Sequence, residues 1–151
     1  MLISAGFAGM SKFQRGSFVY IDTNIFVYFI EFNEDFSKKA ISVFEHIQSD
    51  DARIITSMLT QGECLYKPYK NNEKSVIDAY INLFNGEEIE NIQVVDEIIR
   101  QSAMYGGKLN LKLIDSIHYF SAINAECLYF ITNDTQFKST PEMQVLYLSD
   151  F

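Results

Sequence analysis

Asp22 closes the short apolar run Phe18-Val19-Tyr20-Ile21, and Asp134 follows Ile131-Thr132-Asn133, at the end of the run that starts at Cys127. Glu63 lies in the first turns of the helical pattern after Arg53-Ile54-Ile55-Thr56. Asp115 falls in the opening turn of the pattern that leads into residues 127–132. Position separates these four from the other acids, because ligands of open parallel sheets bind outside the carboxyl ends of the strands. Four carboxylates on one edge repel each other unless something positive is bound. A divalent cation resolves that repulsion, and Mg²⁺ or Mn²⁺ suits carboxylate and water ligands best.

Each acid also fits a structural role. Thr60-Gln61-Gly62-Glu63 matches a capping box, in which Glu63 only closes a helix N-terminus. Asp115 suits the positive end of a helix dipole, and Asp22 and Asp134 suit turns after strands. Their expected convergence is what favours a site.

The elements that must position them follow from apolar period. Residues 18–21, 53–56, 92–95, 127–132 and 145–148 read as short buried strands. Phe36, Ala40, Val43, Phe44 and Ile47 recur at helical spacing, as do Val76, Tyr80, Ile81 and Phe84 before Asn85-Gly86. Leu59, Cys64, Leu65 and Tyr66 mark a helix that Pro68 should stop or kink. Ile98, Ile99 and Met104 suggest one stopped by Gly106-Gly107, and Leu113, Ile114, Ile117, Phe120 and Ala125 mark another. Strands alternating with helices predict a three-layer α/β domain around a central parallel sheet of four to five strands. The 151 residues favour a single domain, placed at 18–151 with 1–17 as an N-terminal extension and Met10 as an alternative start.

Across residues 18–148 the chain resembles the PIN-domain nucleases, and within them the VapC-like toxins of bacterial and archaeal toxin–antitoxin pairs. The resemblance is carried by Tyr20-Ile21-Asp22-Thr23-Asn24, Thr56-Ser57-Met58-Leu59-Thr60-Gln61-Gly62-Glu63, Leu113-Ile114-Asp115-Ser116-Ile117 and Ile131-Thr132-Asn133-Asp134-Thr135-Gln136-Phe137. No single stretch is specific, but the four occur in order, each on its expected element. The resemblance implies a PIN-like three-layer sandwich, with Asp22, Glu63, Asp115 and Asp134 as the acidic quartet. It also implies that Asn24 holds the first aspartate and that Thr132 and Asn133 form the polar approach to the last. It further implies hydrolysis of RNA phosphodiesters with Mg²⁺ or Mn²⁺, a homodimer, and a cognate antitoxin that inserts a basic side chain into the site.

The charge runs the other way. Twelve Lys and Arg against twenty Asp and Glu give a formal net charge of −8, which argues against tight, non-specific nucleic-acid binding. Half of the basic residues nevertheless lie close in sequence to three of the four acids. Lys67, Lys70 and Lys74 follow Glu63, Lys108 and Lys112 precede Asp115, and Lys138 follows Asp134. Of these, Lys67, Lys70, Lys112 and Lys138 are the candidate RNA contacts; a solvated helix face is the plainer alternative. Tyr66 and Tyr69 suit base stacking or packing. His118, one helical turn after Asp115, suits a proton shuttle or, more commonly, a structural role, and His46 carries no signal.

Cys64 and Cys127 lack metal spacing and read as buried thiols of a reducing, cytoplasmic compartment. No apolar run is long enough to cross a bilayer, and the N-terminus lacks the basic residue a secretory signal needs. A haloacid-dehalogenase-type phosphatase wants a second Asp where this chain has Asn24, and a receiver domain wants Lys where it has Asp134. A PIN-like interaction module without catalysis is the main alternative to an enzyme.

Overall fold

A computed structural model describes residues 10–151; residues 1–9, which the alternative start at Met10 would leave out, lie outside the described residues. Five strands, β1 (Phe18–Ile21), β2 (Arg53–Ser57), β3 (Ile89–Ile92), β4 (Tyr129–Thr132) and β5 (Gln144–Tyr147), form one sheet in the order β3-β2-β1-β4-β5. Every pairing is parallel. The chain builds outward from β1 to β3, then returns to the other side of β1 for β4. The order therefore reverses between β1 and β4, the position where open α/β sheets hold their ligands.

Alternation along β1 divides the core. Val19 and Ile21 join Ile25, Phe26, Val43, Phe44, Tyr80 and Phe84 on one face of the sheet. Those partners come from α1 (Thr23–Ile30), α2 (Ser37–Ser49) and α4 (Lys74–Phe84). Tyr20 points the opposite way, with Ile98, Ile117, Phe120, Phe130 and Phe137, under α5 (Asp96–Tyr105) and α6 (Leu113–Asn124). The result is the expected three-layer sandwich around a five-stranded parallel sheet. Phe13 is also in the core, at 2% exposure. The backbone N–H groups of Lys12 and Phe13 donate to Asp50 Oδ2 at 2.7 and 2.9 Å, fixing that segment to the end of α2.

Four local expectations are revised. No helix is predicted over 23–30, yet α1 lies there. The third strand is Ile89–Ile92 and not 92–95, because Ile92 pairs with Ser57, the last residue of β2; beyond it the chain turns into α5. Pro68 neither stops nor displaces α3 (Met58–Lys70) at its own position: it is buried inside the last turn, and the helix ends two residues later. Leu113 and Ile114 belong to α6 but stand exposed, at 53% and 44%, so the buried stripe begins only at Ile117. Gly106 is required where α5 meets α6, since a Cβ there would come within 2.1 Å of Ser116 Oγ and 2.5 Å of the Ser102 carbonyl. Cys64 and Cys127 are free and buried, as expected. Among the described residues, no helix is long and apolar enough to cross a membrane.

Candidate active site

Asp22 leaves β1 at the sheet's switch point and caps α1: its Oδ1 accepts the backbone N–H of Thr23 at 2.8 Å. The Thr132 hydroxyl, at the end of β4, donates to Asp22 Oδ2 at 2.7 Å. Asn24 bridges the same two strand ends. Its amide donates to Asp22 Oδ2 at 3.4 Å and to Thr132 Oγ1 at 3.5 Å, and its carbonyl accepts from the Asn133 N–H at 3.3 Å. The Asp134 N–H donates to Thr132 Oγ1 at 3.0 Å, and its Oδ1 accepts the Gln136 N–H at 2.9 Å. Asp134 is thus both a turn residue and a member of the cluster. The Asn133 amide donates to the Tyr28 hydroxyl at 3.1 Å, anchoring the loop to α1.

Asp115 sits in the first turn of α6, where the dipole suits it, and it also faces the cluster. Glu63 does not close a capping box. Ser57 is the N-cap of α3, so Thr60 and Glu63 are interior helical positions. Instead the Thr23 hydroxyl donates to Glu63 Oε1 at 2.7 Å, and His118 Nε2 lies 2.5 Å from the same oxygen. Asp22, Glu63, Asp115 and Asp134 line one open cleft of about 370 Å³ with Thr23, Asn24, Val27, Tyr28 and His118.

His118 and Thr23 are the residues that sequence reasoning undervalued. His118 is 2% exposed, with Nδ1 2.8 Å from the Tyr20 hydroxyl and Nε2 3.9 Å from Asp22 Oδ1. The Tyr20 hydroxyl donates to Ser57 Oγ at 2.9 Å, so its oxygen is free to accept Nδ1–H. A ring protonated on both nitrogens satisfies every contact. One sequence signal points to this: His118 follows Asp115 by three positions, which puts both on one helix face.

The electrostatics follow from burial and crowding. Burial pushes the Asp22 carboxyl above its ordinary range, against the pull of His118 and Thr132. Asp115 is also raised, first by desolvation and then by Asp134 and Asp22. Desolvation would raise Glu63 too, but the His118 and Thr23 contacts outweigh it and leave Glu63 lowered. For His118 desolvation works downward, and the surrounding carboxylates, led by Glu63, reverse it.

This donor set fits a hard divalent cation. It is made of oxygens, and two of its carboxyls carry an ionisation penalty that positive charge would relieve. Among the described residues, no three His, Cys, Asp or Glu side chains are gathered tightly enough to grip a metal as they stand; the donors line a cleft and do not form a closed cage. No lysine is among the residues lining it. Lys67 and Lys70 are exposed in the last turn of α3, on the helix face of Glu63. Lys112 precedes α6 as its exposed N-cap. Lys138 donates to the Thr135 carbonyl at 2.8 Å, Lys74 pairs with Asp78 at 2.8 Å, and Lys108 lies over the Tyr105 ring. Tyr66 and Tyr69 are exposed, at 75% and 55%, so neither is core.

Fold and cleft together define an all-parallel α/β/α domain with an acid-lined cleft at its switch point. The PIN domain family matches residues 19–143, and the chain belongs to that family. No curated protein matches it. Among solved structures it is similar to VapBC2 from Rickettsia felis bound to a promoter DNA fragment, with TM-score 0.67 and 19% identity over 86% of this chain and 98% of that one. It is also similar to a toxin–antitoxin complex from Klebsiella pneumoniae, with TM-score 0.65 and 18% identity over 86% and 97%. A third is Mycobacterium tuberculosis VapC20, a Sarcin-Ricin loop cleaving toxin, with TM-score 0.61 and 9% identity over 74% and 86%. At these identities the likeness concerns the fold.

Proposed function

We propose that this protein is an endoribonuclease that uses Mg²⁺ or Mn²⁺ to hydrolyse RNA phosphodiester bonds, the toxin of a toxin–antitoxin pair. One observation carries the reading: Asp22, Glu63, Asp115 and Asp134, from four separate parts of the chain, converge on a single cleft at the sheet's switch point. Asp22, Asp115 and Asp134 would hold the cation, with Glu63 ligating it or orienting the attacking water. When bound, the cation lowers the pKa of water and offsets charge gathering on the phosphoryl oxygens. Thr132 and Asn24 fix the Asp22 carboxylate. The Asn133 link to Tyr28 holds the loop that presents Asp134. In-line attack leaves a 5′-phosphate and a 3′-hydroxyl.

The same reading carries a cytoplasmic homodimer and a cognate antitoxin, in keeping with a neighbour of like fold described as a toxin–antitoxin complex. A basic antitoxin side chain suits a cleft with this excess of carboxylates. The direct test is cleavage of a labelled single-stranded RNA by the full chain with Mn²⁺, abolished by EDTA. Intact RNA under those conditions would leave the non-catalytic interaction module as the better reading.

Lys67 and Lys70 supply the substrate side. Changing both to Gln is expected to weaken RNA binding and reduce the slope of log K against log salt by about 1.4, at about 0.7 per phosphate contact for a single strand. Filter binding across a salt series checks this, and an unchanged slope removes both lysines from the interface.

A further inference from the structure

The proposed reaction leaves one buried group without a task. His118 is almost fully enclosed on the sheet side of the cleft, and both ring nitrogens meet polar partners, Glu63 Oε1 at 2.5 Å and the Tyr20 hydroxyl at 2.8 Å. Tyr20, fully buried in β1, passes the chain on to Ser57 at the end of β2. On the other side, the Thr23 hydroxyl donates to the same Glu63 oxygen. Both contacts therefore fall on Oε1, and Oε2 remains as the oxygen available to a ligand in the cleft. Glu63 itself is partly exposed, with its side chain at 35%. A glutamate on an open helix face would otherwise sample several rotamers, and ordering such a side chain costs free energy.

We infer that His118 is a positioning residue acting through Glu63: anchored on Tyr20 and Ser57, it clamps Oε1 and aims Oε2 at the reacting centre. This inference rests on the nuclease reading for its consequence, though not for the contact. A histidine that merely fills the core would need neither the glutamate nor the tyrosine.

The two ring nitrogens can be tested separately, because a Gln amide nitrogen reaches the place of Nε2 and an Asn amide that of Nδ1. His118→Leu and His118→Asn are expected to lower kcat for RNA cleavage by about 10–100-fold, the usual size for outer-shell partners, with KM nearly unchanged. His118→Gln keeps the donor toward Glu63 and should restore most of that loss, and it remains informative if His118→Leu does not fold. In a Glu63→Gln background, His118→Leu should cost no more than about twofold further, since the partner it acts on is already changed.

Ring N–H spectra of ¹⁵N-histidine protein, recorded without metal or RNA, supply a readout independent of activity. A downfield, exchange-protected His118 resonance is expected in the native chain and is lost in Glu63→Ala. Absence of that resonance overturns the clamp, as do full activity in His118→Leu, a loss carried by KM, or losses that multiply in the double variant. If the resonance is present and the native chain cuts no RNA, the nuclease reading fails and the contact stands.

Discussion

Asp22→Asn is expected to abolish RNA cleavage, by about 10³-fold or more, while leaving the metal-free protein at least as stable as the native chain. The two halves share one cause. Asp22 is the most enclosed of the four acids, at 6% exposure, and burial holds its carboxyl above the ordinary range. Its ionised form is thus kept in the fold at a cost that a bound cation would offset. Asn is isosteric and neutral. Its carbonyl can accept the Thr23 N–H as the native cap does, and its amide can donate to Thr132 Oγ1 once the Thr132 hydroxyl and the Asn24 amide, the two donors to the native oxygen, turn away. Stabilisation of about 1 kcal/mol would appear as a rise in Tm of about 2–4 °C for a chain of this size. The measurements are single-turnover cleavage with Mn²⁺ and thermal unfolding in EDTA. A variant that cuts normally, or one that loses activity only by unfolding, contradicts the assignment.

The role of Glu63 turns on where α3 begins. Its sequence context offered a capping box, and only the actual helix start at Met58, with Ser57 as N-cap, releases it for the cleft. Helix boundaries cannot be fixed to one residue by propensity, and here one turn decides the role of a carboxylate.

Asp22 and Asp134 were legible because strand direction alone places them: both end apolar runs, and parallel strands end on the same edge. The four acids and their order could be read, and so could the layers. What sequence withheld has physical reasons. The α1 segment, Thr23–Ile30, is almost continuously apolar, because one side packs on the sheet and the rest meets α2, α3 and α4. Continuous apolarity erases the 3.6-residue period that marks a helix. Thr23 looked like a bystander beside Asp22, since its partner Glu63 is 40 residues away. The weight of His118 depends on Tyr20 and Ser57, which come from two different strands; no local pattern records that meeting. Leu113 and Ile114 matched a helical stripe, yet they occupy the exposed first turn, where Asp115 needs access to the cleft.

Metal-free stability should fall as pH rises above about 6.5 and be restored by a divalent cation. Asp22 and Asp115 have raised folded-state values, and His118 is raised above its ordinary value of 6.5. In each case the folded chain holds more protons than the unfolded one across the gap, which opens near 3.8 for the two aspartates and near 6.5 for His118, so stability declines as pH climbs through it. For His118 the contribution is complete below 6.5 and lost as pH passes its raised folded value. Glu63 has the opposite sign: its value is lowered from 4.5, so its contribution is lost only in acid, outside this window. The groups facing His118, namely Glu63 from α3, Asp22 from the end of β1, Asp115 from α6 and the neutral Tyr20 from β1, make it the main titrating cation of the cleft. A cation binding only the folded chain at about 100 times its Kd adds about 2.7 kcal/mol, or about 5–10 °C in Tm. Because the cation competes with the protons held by Asp22, Asp115 and His118, the gain should grow as pH rises. Thermal unfolding with EDTA and with Mn²⁺ across this range measures both trends. A flat profile in EDTA would count against the coupled cluster. An Mn²⁺ shift that persists undiminished in Asp115→Asn would place the cation elsewhere.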